Sequence, residues 1–340
     1  LKMKKILITG GAGYIGSHTA VELWNAGLEP ILLDDFSNSH ESVLNRLAEI
    51  TGKRFAFYKG DCNQREILDQ IAQDHQLDGV IHFAAFKAVG ESTQKPLMYY
   101  KNNLGSLLVL LEFMQEKEIQ NIVFSSSCTV YGQPDVLPVT EATPRKVAES
   151  PYGNTKKIAE DILEDYVKSK PGIRVVALRY FNPVGAHPSA KIGELPMGTP
   201  QNLVPFLTQT AAGIREKLTV FGNDYDTPDG SCIRDYIHVV DLADAHVKAL
   251  TFLSQQSPNF YDVFNVGTGR GNTVLEVIHA FEAVTELKLP YEIGPRRAGD
   301  VVKTWADTSK INQVLGWQAT HTLEDCMRDS WRWQLALDNN

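Results

Sequence analysis

Tyr152 and Lys156 stand four residues apart in Pro151-Tyr-Gly-Asn-Thr-Lys, at the head of a helical pattern, so their side chains share one face. A phenol with its ordinary pKa of about 10 is a poor base at neutral pH. An ammonium beside it, helped by the cationic ring of a bound cofactor, is expected to lower that pKa and make Tyr152 a general base. The spacing alone identifies nothing, because Tyr-x-x-x-Lys recurs at Tyr166 and Lys170. What singles out the first copy is the run Ile122 to Ser127 ahead of it, which reads as a strand ending in hydroxyls. Ser127 there can hydrogen-bond a sugar hydroxyl or carry its proton to the phenolate, and serves equally well as a turn former.

A second constellation precedes the first. Thr9-Gly10-Gly11-Ala12-Gly13-Tyr14-Ile15-Gly16 follows an apolar run directly and opens a helical pattern. Glycines at 10, 13 and 16 permit a tight strand-to-helix turn, in which backbone N–H groups and the helix N-terminus approach a pyrophosphate. Asp34, 18 residues past Gly16 and at the end of the next strand, stands where a carboxylate takes ribose hydroxyls. It would repel a 2′-phosphate, and no Arg or Lys lies between Asp34 and Ser39 to receive one, so NAD is expected rather than NADP. Ser17-His18 after Gly16 excludes a P-loop. Gly60-Asp61-Cys62 and Phe83 to Lys87 should end strands at the same edge, with Asp61 toward the adenine. Asn102 reads either as a turn cap near the cofactor or as a plain surface residue.

These groups need a scaffold that brings strand ends together. Short apolar runs (Ile6 to Thr9, Pro30 to Leu33, Arg54 to Tyr58, Val80 to Ala84, Ile122 to Ser125, Val175 to Leu178) alternate with amphipathic stretches (Ile15 to Asn25, Ser42 to Ile50, Ile67 to His75, Pro96 to Lys117, Pro151 to Lys168). That is the pattern of a parallel sheet covered on both faces. The expected fold is α/β, a Rossmann-like doubly wound parallel sheet with a smaller C-terminal mixed α/β region for substrate. The expected division is 1–182 for the cofactor and 183–340 for the substrate. Strand-like Tyr236 to Val240 and Phe264 to Val266 suggest that the chain returns to the first sheet at least once.

Composition narrows the classes of function. The 340 residues are 43% apolar and 22% charged, ordinary for a globular protein of about two units. A formal charge of −8 argues against a nonspecific grip on nucleic acid or anionic lipid. No run of 18 apolar residues and no signal-peptide core is present, so a membrane is not expected. Cys62, Cys128, Cys232 and Cys326 are far apart without metal-ligand spacing, which suits a reducing cytoplasm and predicts no metal.

With these features in one order, the chain resembles the extended short-chain dehydrogenase/reductases, and within them the UDP-glucose 4-epimerase family. The resemblance runs from Lys5 to about Gln334. It is carried by Thr9 to Ser17, Val89-Gly90-Glu91-Ser92, Ser125 to Gly132, Ser150 to Lys156, Leu178 to Pro188, Phe221 to Tyr225 and Arg234 to Asp241. It implies that Tyr152 takes the proton from the sugar 4-hydroxyl while NAD takes the hydride from C4, after which the 4-keto sugar swings and is reduced on its other face. It also implies that Tyr14, Ile15, Asp34, Asn38, Ser39, Asp61, Cys62, Phe83, Lys87, Asn102, Lys156 and Tyr180 hold NAD, with Tyr152 touching both ligands. Phe181 and Asn182 would begin the sugar-nucleotide site. Asn202, Leu203, Phe221, Arg234, Arg297 and Asp300 would hold UDP, and two guanidiniums do suit a pyrophosphate. A homodimer packed through Pro96 to Lys117 and Pro151 to Lys168 is implied as well.

Thr304 departs from the bulky Tyr of some members near Trp305-Ala306-Asp307, which leaves room for an N-acetyl group on the sugar. A nucleotide-sugar 4,6-dehydratase is the nearest rival reading. Members of that family carry Asp-Glu where this chain has Cys128-Thr129, which cannot serve as the acid and base that loss of the 6-hydroxyl needs. A silent NAD-sensing protein would be expected to have lost Tyr152 or Lys156.

Overall fold

The computed structural model describes residues 4–169, 172–297 and 300–338. The first half alternates β1 (Lys5–Thr9), α1 (Tyr14–Asn25), β2 (Glu29–Asp34), α2 (Ser42–Thr51), β3 (Ala56–Lys59), α3 (Arg65–Asp74) and β4 (Gly79–His82). There follow α4 (Val89–Gln94), α5 (Pro96–Glu116), β5 (Asn121–Ser127), a 3₁₀ turn (Cys128–Tyr131), α6 (Pro151–Ser169) and β6 (Arg174–Tyr180). The second half holds β7 (Asn182–Val184), α7 (Leu203–Ala211), β8 (Leu218–Phe221), β9 (Ile233–Arg234), β10 (Tyr236–His238) and α8 (Val239–Leu253). It ends with β11 (Phe260–Val266), β12 (Asn272–Thr273), α9 (Val274–Thr285), β13 (Tyr291–Gly294), α10 (Ser309–Leu315) and α11 (Leu323–Asp338).

Seven strands form one parallel sheet in the order β11-β6-β5-β4-β1-β2-β3. Successive side chains of β1 alternate between its two faces: Ile6 and Ile8 join a core with α1 and α8, while Leu7 joins another with α3, α5 and α6. Burial on both sides is why these strands show so little polar alternation. From β1 the chain builds outward to β2 and β3, then crosses to β4 on the other side. A crevice opens at the strand ends where that order reverses.

A third core, of Val204, Leu207, Val220, Phe281 and Met327, gathers α7, β8, α9 and α11. Phe264 to Val266 lies in β11, which rejoins the central sheet beside β6. The expected return is made by this segment, and the other candidate segment does not join the sheet. Tyr236 to His238 pairs with β7 in a separate two-stranded sheet. Val239 and Val240 already belong to α8, because the His238 imidazole accepts the Val240 N–H and starts the helix there.

One buried polar network braces the sheet under the site. Glu160 of α6 accepts from Arg179 Nη2 (2.6 Å) and Nε (2.9 Å) and from Ser126 Oγ (2.5 Å). Arg179 also donates to the Tyr131 hydroxyl, which donates to Asn265 Oδ1. A charge pair this deep persists because every member is hydrogen-bonded.

Candidate active site

The glycine turn is folded hard against the sheet. Gly10 has φ of 71°, and a Cβ on it would lie 3.0 Å from the Ala84 nitrogen. A Cβ on Gly16 would fall 2.2 Å from the Gly10 carbonyl oxygen. Gly13 stands at the N-terminus of α1 without a side-chain cap, so the N–H groups of the first turn remain for an anion. Asp34 is tied into the same turn: Oδ2 accepts the Ala12 N–H (3.0 Å), and Oδ1 accepts Phe36 N–H (2.9 Å) and Ser39 Oγ (2.7 Å).

From there a cleft of about 660 Å³ runs along the strand ends. It gathers Gly10, Gly13, Tyr14, Ile15, Gly16, Asp34, Asn38, Ser39, Asp61, Cys62, Phe83, Lys87, Asn102, Tyr152, Lys156 and Tyr180, together with Asn202 from the second half. Asp61 Oδ1 accepts the Asn63 N–H and side-chain amide, and Asn63 donates on to Asn102. Burial pushes the Cys62 thiol up to about 12, so it meets the cleft as a neutral group.

At the inner end, Ser150 Oγ accepts the Gly153 N–H and starts α6. Gly153 lies against Thr129, where a Cβ would come within 3.2 Å of the threonine Cβ. That close approach seats Tyr152 beside the end of β5. Ser127 Oγ accepts the Thr129 N–H (3.2 Å), which caps the 3₁₀ turn, and the same hydroxyl lies near enough to Tyr152 to favour its phenolate. Lys156 Nζ donates to the Ser125 carbonyl (2.5 Å) and hydroxyl (3.2 Å) and lies 4.9 Å from the Phe124 ring centroid.

Burial alone shifts both groups toward their neutral forms. Burial pushes Tyr152 up to about 12 despite the Ser127 hydroxyl, and it pushes Lys156 down to about 7 despite the nearby Glu160. Lys156 does not lower the phenol in this state, since its ammonium is itself desolvated and turned toward Ser125. In the other Tyr-x-x-x-Lys copy, Tyr166 donates to the Leu111 carbonyl and Lys170 lies outside the described residues.

The remaining candidates do not line this cleft. Phe181 is buried in a small core with Tyr131, Val139 and Ala306, while Asn182 pairs in β7 and Leu203 opens α7. A separate group forms in the second half. Arg297 lies 2.8 Å from Asp300 and 5.3 Å from the Phe221 ring centroid, and Arg234 approaches Asp300 at 3.8 Å. Thr304 is buried beside it, its N–H on the Ile233 carbonyl.

A family model described as GDP-mannose 4,6 dehydratase matches residues 7–330. The UDP-glucose 4-epimerase of Bacillus subtilis (strain 168) is 51% identical over 334 residues, covering 98% of both chains. That of Dictyostelium discoideum is 49% identical over 335 residues, covering 98% of this chain and 97% of the other. This chain belongs to the UDP-glucose 4-epimerase family. Among solved members, the Stenotrophomonas maltophila epimerase with bound NAD and formylated UDP-arabinopyranose superposes with a TM-score of 0.96 at 47% identity, covering 99% of each chain. The Bifidobacterium longum epimerase, in complex with NAD+ and UDP, gives 0.95 at 46% over the same coverage.

Where a 4,6-dehydratase needs an acid and a base, this member of the epimerase family has a thiol and a hydroxyl. Burial pushes Cys128 up to about 12, and Thr129 Oγ1 is buried without a hydrogen-bond partner among the described residues. Three positioning residues escaped the sequence reading. Asn103 joins Phe86 N–H and carbonyl to Thr155 of α6. Asp235 gathers Thr268, Gly269 and Ala306 around the Thr304 segment. Glu194 receives both Lys87 and Asn202. Each is an ordinary polar residue in the sequence, and only its distant partners reveal it.

Proposed function

We propose that this chain reversibly interconverts UDP-glucose and UDP-galactose by inverting C4 of the hexose through a 4-keto sugar, with NAD held in the cleft. The reading rests on one observation: Tyr152 and buried Lys156 line a cleft along the strand ends, with buried Ser127 at the end of the adjoining strand, in a chain about half identical to UDP-glucose 4-epimerases over nearly its whole length. When bound, NAD supplies the reversible hydride store that the inversion needs. The glycine turn, Asp34 and the β3 and β4 ends would hold it.

Tyr152 Oη removes the proton of the 4-hydroxyl and later returns it. Because burial holds the phenol high, its ionisation depends on positive charge arriving beside it. Lys156, held near 7, gains its proton most readily when negative charge forms nearby. Ser127 steadies the phenolate with its hydroxyl hydrogen. Neutral Cys128 and Thr129 favour epimerisation over loss of the 6-hydroxyl.

The test mixes purified protein, without added cofactor, with UDP-galactose and follows the anomeric proton signals by NMR. UDP-glucose should accumulate to a fixed ratio, and Tyr152→Phe should abolish this. No conversion, even with NAD added and N-acetylated sugars offered, overturns the reading.

Galactose metabolism is the setting this reaction fits. Small Thr304 supports some turnover of UDP-N-acetylglucosamine and UDP-N-acetylgalactosamine. Thr304→Tyr should then depress N-acetylated relative to plain turnover, and an unchanged ratio sinks the idea. The division into a cofactor lobe (1–182, joined by α8 and β11 of the second half) and a UDP-sugar lobe from the rest of 183–340, a cytoplasmic location and a homodimer through α5 and α6 belong to the same proposal. Four unpaired cysteines support the compartment, and half-exposed Leu108 on α5 supports the dimer, which sedimentation would test.

A further inference from the structure

Glu194 is a carboxylate set inside the cleft with its two oxygens in different circumstances. Oε1 accepts from both Lys87 Nζ (3.4 Å) and Asn202 Nδ2 (2.7 Å), one from each side of the cleft. Oε2 has no hydrogen-bond partner among the described residues, although the side chain is only 12% exposed. The main chain behind it is fixed. Trp333 Nε1 donates to the Glu194 carbonyl (2.9 Å), and Gly193 packs so closely on the Trp333 ring that a Cβ would come within 2.5 Å. Arg46 lies over the same ring at 5.0 Å. Asn202 stands at the N-terminus of α7 and makes no capping bond there, its amide being turned to Glu194 instead.

A carboxylate aimed by two donors on one oxygen presents the other as a preorganised acceptor. A phosphate has only acceptors and a negative charge, so it cannot complete this position, whereas a neutral hydroxyl can. We propose that Glu194 Oε2 accepts a hydrogen bond from a sugar-ring hydroxyl bound in the cleft, either a ribose of the dinucleotide or the hexose of the sugar nucleotide. This inference rests on the epimerase reading for its ligands and goes beyond it in naming the residue.

Calorimetric titrations separate the sources. Nucleotide-free protein is titrated with NAD, and NAD-saturated protein with UDP-glucose and with UDP, for wild type, Glu194→Ala and Glu194→Gln. Loss of a charge-assisted hydrogen bond should weaken one probe roughly ten- to hundred-fold in the alanine variant. A loss confined to NAD assigns the ribose, and a loss confined to UDP-glucose with UDP unchanged assigns the hexose. Glu194→Gln, which can keep an oxygen toward Asn202 but lacks the charge, should weaken the same probe by a smaller factor and leave UDP unchanged.

Unchanged affinity for both sugar-bearing probes in Glu194→Ala overturns the inference. So does an equal loss for UDP and UDP-glucose with NAD unchanged, which would mean that Glu194 acts through Asn202 alone. Wild-type protein that binds neither NAD nor UDP-glucose overturns it too. Wild-type binding without turnover of UDP-galactose sinks the epimerase reading, while the affinities still decide Glu194.

Discussion

The cofactor-side and nucleotide-side candidates are built in opposite ways. On the first side, Gly10, Asp34, Asp61 and Phe83 sit at or just beyond the C-terminal ends of adjacent parallel strands, so their positions follow from the sheet itself. On the second side, Phe221, Arg234, Arg297 and Asp300 come from short strands and loops, held by ion pairs and by the Asp235 carboxylate. The first arrangement is set by the hydrogen-bonded sheet itself. The second depends on charged groups that satisfy one another, and an arriving diphosphate can compete for the arginines. Tyr152 and Lys156 occupy the inner end of the cleft, where the first side supplies the framework.

If that contrast holds, damage should be separable by side. Tyr152→Phe removes the proton carrier without touching either framework, so kcat for UDP-galactose should fall by about 10²–10⁴ while bound NAD is retained. Loss of NAD in this variant would show that the phenol is part of the cofactor framework. Gly16→Ala attacks that framework directly, because its Cβ meets the Gly10 carbonyl at 2.2 Å. It should lower stability by about 1–3 kcal/mol, measured by denaturant unfolding, and strip the protein of NAD. Arg234→Ala should weaken UDP about tenfold by calorimetry with NAD affinity and unfolding midpoint nearly unchanged. A matching loss of NAD affinity would erase the distinction.

A further effect is on pH. Burial lowers Lys156 from its ordinary 10.5 to about 7 in the folded protein, so between those values the unfolded chain holds a proton that the folded one does not. Stability therefore rises with pH across that window, and below about pH 7 the cost of burying the ammonium is carried in full. Relative to Lys156→Met, the denaturant midpoint of nucleotide-free protein should climb from pH 7 to pH 9. A flat difference would mean that Lys156 stays charged in its pocket.

The same asymmetry explains what could be read from the chain. Apolar runs and helical periodicity located the first six strands to within a few residues, since burial on both faces leaves a local mark. The glycine turn and Asp34 were legible because strand, turn and acid lie within one short stretch. Thr304 and the arginines could be named only through family likeness. Asn103, Glu160 and Glu194 carry no local pattern, and the strand-like Tyr236 to His238 paired with β7 because its partner was chosen by packing rather than by its own composition.

The sequence by itself therefore determined the parallel sheet, the dinucleotide turn and the Tyr152/Lys156 pair, because periodicity, glycine spacing and helical register are properties of neighbouring residues. Tertiary structure alone decided the charges and the contacts across the cleft. Whether Lys156 is desolvated, whether Tyr152 stays protonated, and whether Glu194 keeps one oxygen free are set by groups far away along the chain. Burial and Coulomb interaction act through space, so no spacing in the sequence records them.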